Sequence, residues 1–317
     1  VSHFLSRFIP AVPLVTIVCA VVLFRIAYLV FFLTPEPSGL KTSSLAIAID
    51  TSRTAKDQGL AEIHDATAKF AWAVSAAVQT AVFSLVILYF WIILYRVLTG
   101  YILWFCATVA LPLVIGAREF AAGMRTDASS LLGPLPTDLL RVAVHGSGNR
   151  VLPATTNFEN ALAVVLGMSA ALAVVAVLGE THSKRMEVER QIETIRRLLT
   201  ATTIALTAGV IQIFFEYRWV AAVLFPAQAD EKTKTLTEFG STTAALITFG
   251  AASGLSLFLV ACFVPAAAII KSRSDQVNKS LDKDEKIDFD TGQLWKDALQ
   301  IVAPLITVGP LAILFKA

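Results

Sequence analysis

Long apolar stretches alternate with short polar ones along the whole chain. The apolar runs cover, approximately, residues 9–33, 70–97, 101–116, 160–179, 199–225, 241–270 and 298–315. An α-helix needs about 20 predominantly apolar residues to cross a hydrocarbon layer about 30 Å thick, so the pattern predicts about seven transmembrane helices. Two of the runs are weaker. Residues 101–116 are few and include Pro112, and 298–315 include both Pro304 and Pro310. Backbone groups freed by proline must find partners among neighbouring helices, so either segment can be re-entrant or kinked, and six spans is the alternative. The expected fold class is all-α, a polytopic integral membrane bundle forming a single membrane domain over residues 1–317. The first run ends in the bulky sequence LVFFL and is longer than the roughly 7 to 15 residues of an export-signal core, so it is expected to be retained as a span.

The polar stretches are of two kinds. Residues 34–69 and 117–157 are long and rich in turn signals such as PEPSG, GPLP and HGSGN, and are expected to be ordered outer loops. Within the first, AKDQGLAEIHDATAKFAWAV has helical spacing, which predicts that the second span starts outside the membrane as one long helix. The connections 180–197 and 271–297 are shorter and far more charged. Their density of Lys and Arg, including Lys184, Arg185, Arg196, Arg197, Lys271 and Arg273, exceeds that of the opposite loops and marks them as cytoplasmic. The N-terminus then also lies in the cytoplasm, in a membrane expected to be a bacterial inner membrane.

One stretch joins the two patterns. In residues 184–198 the charged sequence KRMEVERQIETIRRL carries Val188, Ile192, Ile195 and, one residue beyond, Leu199 at alternating spacings of four and three, the seam of a coiled coil. Glu187 is in reach of Arg190, and Glu193 of Arg196 and Arg197, pairs worth roughly 0.2 to 0.5 kcal/mol each on an exposed helix. The helix is expected to continue without a break into the fifth span.

Composition changes the picture by what it excludes. Of 317 residues, 56% are apolar and 16% charged, against about 25% charged in soluble domains. A net charge of +2 with no basic cluster among exposed aromatics gives no nucleic-acid surface. Cys19, Cys106 and Cys262 lie far apart inside apolar runs, which predicts neither a disulfide framework nor a metal site. His3, His64, His145 and His182 all fall outside the spans, so intramembrane haem or pigment ligation has no support. A retinal protein requires a lysine in the middle of its last helix, whereas Lys296 and Lys316 flank that run. The sequence DFDTGQ lacks the order and closing Glu of a calcium loop, and Asp290 or Thr291 reads better as a helix cap. The sequence VHGSGN is not a nucleophile elbow. No catalytic, cofactor-binding or metal-binding residues are expected, and no enzymatic activity.

The residues singled out are the charges and small residues inside the spans. Arg25 and Glu216 both fall roughly 20 to 22 Å into the layer at 1.5 Å per residue, so an intramembrane ion pair between the first and fifth spans is expected. In the functional alternative Glu216 is a proton or cation site whose charge state Arg25 sets. Arg218 and Trp219 read as interfacial residues of an aromatic belt. Gly250 and Gly254 form GxxxG, a helix-packing motif. The expected function is a non-enzymatic membrane subunit or scaffold acting by assembly with itself or with protein partners in the lipid bilayer. An oligomeric channel or pore-forming effector, and a secondary transporter using an intramembrane carboxylate, are the alternatives.

Overall fold

The computed structural model describes residues 55–98, 101–125, 151–179, 185–224, 231–279, 287 and 291–314. Among these, the regular elements are helices: α1 (Ala55–Val97), α2 (Ile102–Arg125), α3 (Val151–Gly179), α4 (Arg185–Leu224), α5 (Glu231–Asn278) and α6 (Thr291–Leu314). The chain is an all-helical membrane bundle. Helix is the form expected of an apolar chain in lipid, because it satisfies the backbone N–H and C=O groups within the segment. Among the described residues, four helices are long and apolar enough to cross a bilayer, over Thr67–Val97, Thr155–Gly179, Arg185–Ala222 and Thr242–Asn278. The two proline-bearing runs form the shorter apolar stretches Ile102–Arg118 and Leu299–Leu311. The run at 9–33, and Arg25 within it, lies outside the described residues.

Helix lengths exceed what a membrane requires. The 43 residues of α1, 40 of α4 and 48 of α5 extend for roughly 60 to 72 Å at 1.5 Å per residue, about twice the hydrocarbon thickness. Helix α1 does start in the polar segment ahead of its apolar run, at Ala55. Helix α3 starts at Val151, well upstream of its apolar run, with Pro153 in the first turn, where a missing N–H removes no intrahelical bond. Helix α5 passes through Pro265 without ending. A backbone bond from Leu98 N to Leu94 O (2.9 Å) prolongs the end of α1, and one from Tyr101 N to Leu98 O (2.8 Å) ties the start of α2 to it.

Helix α4 is the centre of the bundle, in contact with α1, α3, α5 and α6. The main core is built from Phe83, Phe90 and Leu94 of α1, Leu166, Val174 and Leu178 of α3, Leu198 and Leu206 of α4, and Leu259 and Phe263 of α5. Val210, Ala252 and Val308 bring α6 onto the α4–α5 pair. In lipid, such contacts gain little from leaving water, so close fit carries the association. The fit is close where α2 crosses α3. A Cβ built on Gly116 would stand 2.6 Å from Val165 Cγ2 and 3.2 Å from the Ala161 carbonyl oxygen.

Both short charged connections leave the bundle at the same end. There Gln191 of α4 donates to the Val177 carbonyl (3.0 Å), and Arg273 of α5 donates to the Leu178 carbonyl (2.6 Å) and to Gln191 Oε1 (3.3 Å). The guanidinium thus meets the Leu178 carbonyl in the last turn of α3, where the helix end carries partial negative charge. Arg196 pairs with Asp297 of α6 at 3.3 Å, whereas Glu193 pairs with Arg197 at 2.8 Å. The predicted seam is covered by the chain's own helices. Val188 packs with Val277 and Ile287, Ile192 lies against both this cluster and the core, and Ile195 and Leu199 belong to the core itself.

Candidate functional site

At the opposite end of the bundle, polar side chains converge between α1, α3 and α4. Their positions follow from helical spacing. Thr156 and Glu159 are three apart on α3, Gln212 and Glu216 four apart on α4, and Ser75 and Gln79 four apart on α1, so each pair lies on one face. Because α3 and α4 run antiparallel, the two polar pairs meet in reverse order. Gln212 Nε2 donates to Glu159 Oε2 at 2.5 Å, and the Thr156 hydroxyl donates to Glu216 Oε1 at 3.0 Å. From α1 the Ser75 hydroxyl donates to the Trp72 carbonyl at 2.8 Å and approaches Gln212 Oε1 at 3.4 Å.

The layer is shielded. Glu159 and Glu216 are each only 5% exposed, Gln212 1% and Gln79 6%. Trp72 stacks on Trp219 with ring centroids 5.9 Å apart and planes 25° apart, which closes the α1–α4 seam beside Ser75. Gly209 makes room for the Gln79 amide. A Cβ there would lie 3.7 Å from Gln79 Nε2 and 3.3 Å from Phe83 Cζ. Two carboxylates held in this setting are costly unless charge or hydrogen bonds compensate them, because an ion taken out of water loses its hydration.

The residues expected from sequence fall in different places. Glu216 is at the heart of the layer, and its bond to Thr156 was not anticipated. Arg25 lies outside the described residues, so the expected Arg25 to Glu216 pair does too. Trp219 turns inward onto Trp72 and is 1% exposed, while Arg218 is partly exposed on the neighbouring face. Gly250 has nothing within 4 Å of a built Cβ, so among the described residues no helix closes on it; Gly254 is half-buried. Thr108, Thr248 and Ser253 return their hydroxyls to carbonyls of their own helices, and Ser169 accepts from Trp91 Nε1 at 3.1 Å.

Sequence reasoning missed Glu159 altogether. It sits one position before the apolar run assigned to the fourth span, where an acid reads as the end of a loop. The available signal was its spacing: an acid three residues after Thr156 at the start of a long apolar run. Among the described residues no group of three or more His, Cys, Asp or Glu side chains is placed to hold a metal ion.

The fold and this buried layer define a class, an integral membrane protein whose helices cross a lipid bilayer and enclose a carboxylate pair. In comparisons with known proteins, no family model, no curated protein and no solved structure matches the chain.

Proposed function

We propose that the protein is a secondary transporter in which Glu159 and Glu216 form the charge-carrying site. The carrying observation is the burial of two carboxylates, bonded crosswise to Gln212 and Thr156, within a membrane bundle. Ionisable groups at such positions are expensive, and mark ion pathways or relays when they line a polar cavity between helices. A proton or small cation is the natural species for such a pair, since it cancels charge that the surroundings solvate poorly. The scaffold reading draws on the charged helix at 184–198, and its support is narrower because Val188, Ile195 and Leu199 are buried by the same chain. We assign the end bearing Arg185, Arg196 and Arg273 to the cytoplasm, by its density of basic residues, in a bacterial-type inner membrane.

Reconstitution tests the reading. The full chain in liposomes is expected to dissipate an imposed proton or sodium gradient faster than protein-free liposomes. Glu159→Gln and Glu216→Gln are each expected to lower that flux about tenfold or more, with folding checked by helical circular dichroism. Wild-type flux no faster than that of empty liposomes under either gradient sinks the proposal.

A further inference from the structure

We infer that the polar layer binds a dehydrated monovalent cation of sodium size through side-chain oxygens of Glu159, Gln79 and Gln212. The inference rests on the transport reading above and names the ion that Glu159 holds. Its basis is a surplus of acceptors. The donors bonded within the layer are already engaged: Gln212 Nε2 on Glu159 Oε2, Thr156 on Glu216 Oε1, and Ser75 on the Trp72 carbonyl. Glu159 Oε1 and Gln79 Oε1 are fully buried and have no hydrogen-bond partner. Gln212 Oε1 receives only the 3.4 Å approach of Ser75. Buried acceptors are rarely left unpaired, because each forfeits its hydration without replacement.

Gln79 belongs to this surplus by position. It lies one turn from Ser75 on α1 and against Gly209, which is itself one turn before Gln212 on α4. Its amide therefore enters the same seam. Trp72 Nε1 is a buried donor without a partner, and its ring is held against Trp219.

A proton resolves only part of this arrangement. Placed on Glu159 Oε1, it turns that atom into a donor for one neighbouring acceptor such as Gln79 Oε1, and leaves Gln212 Oε1 with only the 3.4 Å approach of Ser75. One cation satisfies several oxygens together. The ligand set is all oxygen, which suits hard cations, and the absence of a third carboxylate among the described residues disfavours divalent ions, whose shells are rich in carboxylate.

The test uses the purified full chain in detergent, titrated with sodium chloride against choline chloride at constant ionic strength, and read by tryptophan fluorescence because Trp72 and Trp219 border the layer. A saturable sodium-dependent change is expected. Gln79→Leu is expected to raise the apparent Kd about tenfold, Gln79→Glu to retain sodium binding, and Glu159→Gln to abolish the change. No sodium dependence in folded wild-type protein overturns the inference, as does unaltered sodium binding in Gln79→Leu. A proton-driven flux in liposomes that needs Glu159 but ignores sodium overturns the inference while leaving the transport reading intact. Absence of flux with sodium binding intact does the reverse.

Discussion

Gly116 and Gly250 are the same residue in opposite surroundings. At Gly116 the neighbours are the Ala161 carbonyl, fixed in a helix backbone, and the β-branched Val165, which has little rotamer freedom. Gly116→Ala is therefore expected to lower stability by about 1 to 3 kcal/mol through overpacking. Gly250→Ala meets open space and removes a flexible residue from a helix, so it is expected to be neutral or to stabilise by up to about 1 kcal/mol. Thermal unfolding in the same detergent distinguishes the two, and equal losses at both positions would contradict the packing described. Sequence showed GxxxG at Gly250 and Gly254 but did not show Gly116, because close approach depends on which face meets a neighbour.

Helix α4 illustrates the same limit at the scale of an element. Its charged first half, alternating apolar seam and uninterrupted passage into an apolar second half were legible in residue spacing, and the helix does run from Arg185 to Leu224. What covers the seam was not legible, since a heptad pattern reports an apolar stripe and not the identity of its partner. Arg273 supplies much of the fastening at this end by joining Leu178 of α3 to Gln191 of α4. Arg273→Ala is expected to cost about 1.5 to 3 kcal/mol, the range for a hydrogen bond to a charged group, with Arg273→Lys recovering only part because one ammonium replaces a planar fork. The Arg196–Asp297 pair, with side chains 28% and 20% exposed, is expected to matter less. Asp297→Asn should cost under about 1 kcal/mol, and less still in high salt. A larger loss from Asp297→Asn than from Arg273→Ala, measured by chemical unfolding, would reverse this ranking.

For the whole molecule, antiparallel packing of α4 against α1 and α3 sends the polar layer and the basic connections to opposite ends. Contacts fix this order: Ser75 and Gln79 lie near Gln212 and Gly209, while Gln191 lies near Val177. Lys69 and Met186, both exposed, then belong to opposite ends. With the native cysteines replaced, Lys69→Cys and Met186→Cys are expected to react with an impermeant maleimide from opposite sides of sealed vesicles. Labelling of both from one side would refute a membrane-crossing α1–α4 arrangement.

Composition and periodicity alone determined that this chain builds membrane helices, that two proline-bearing segments are shorter, and that α4 begins charged and ends apolar. These are local properties, set by how many consecutive residues lipid can accept and by the demand that each backbone group be bonded within its own segment. Tertiary structure alone decided that Glu159 and Gln212, 53 residues apart in the chain, share a hydrogen bond, and that Gln79 enters the same layer. Helical spacing sets the face on which a side chain stands. The side chain across from it depends on how two helices are placed and turned against each other, which is settled by packing over the whole bundle.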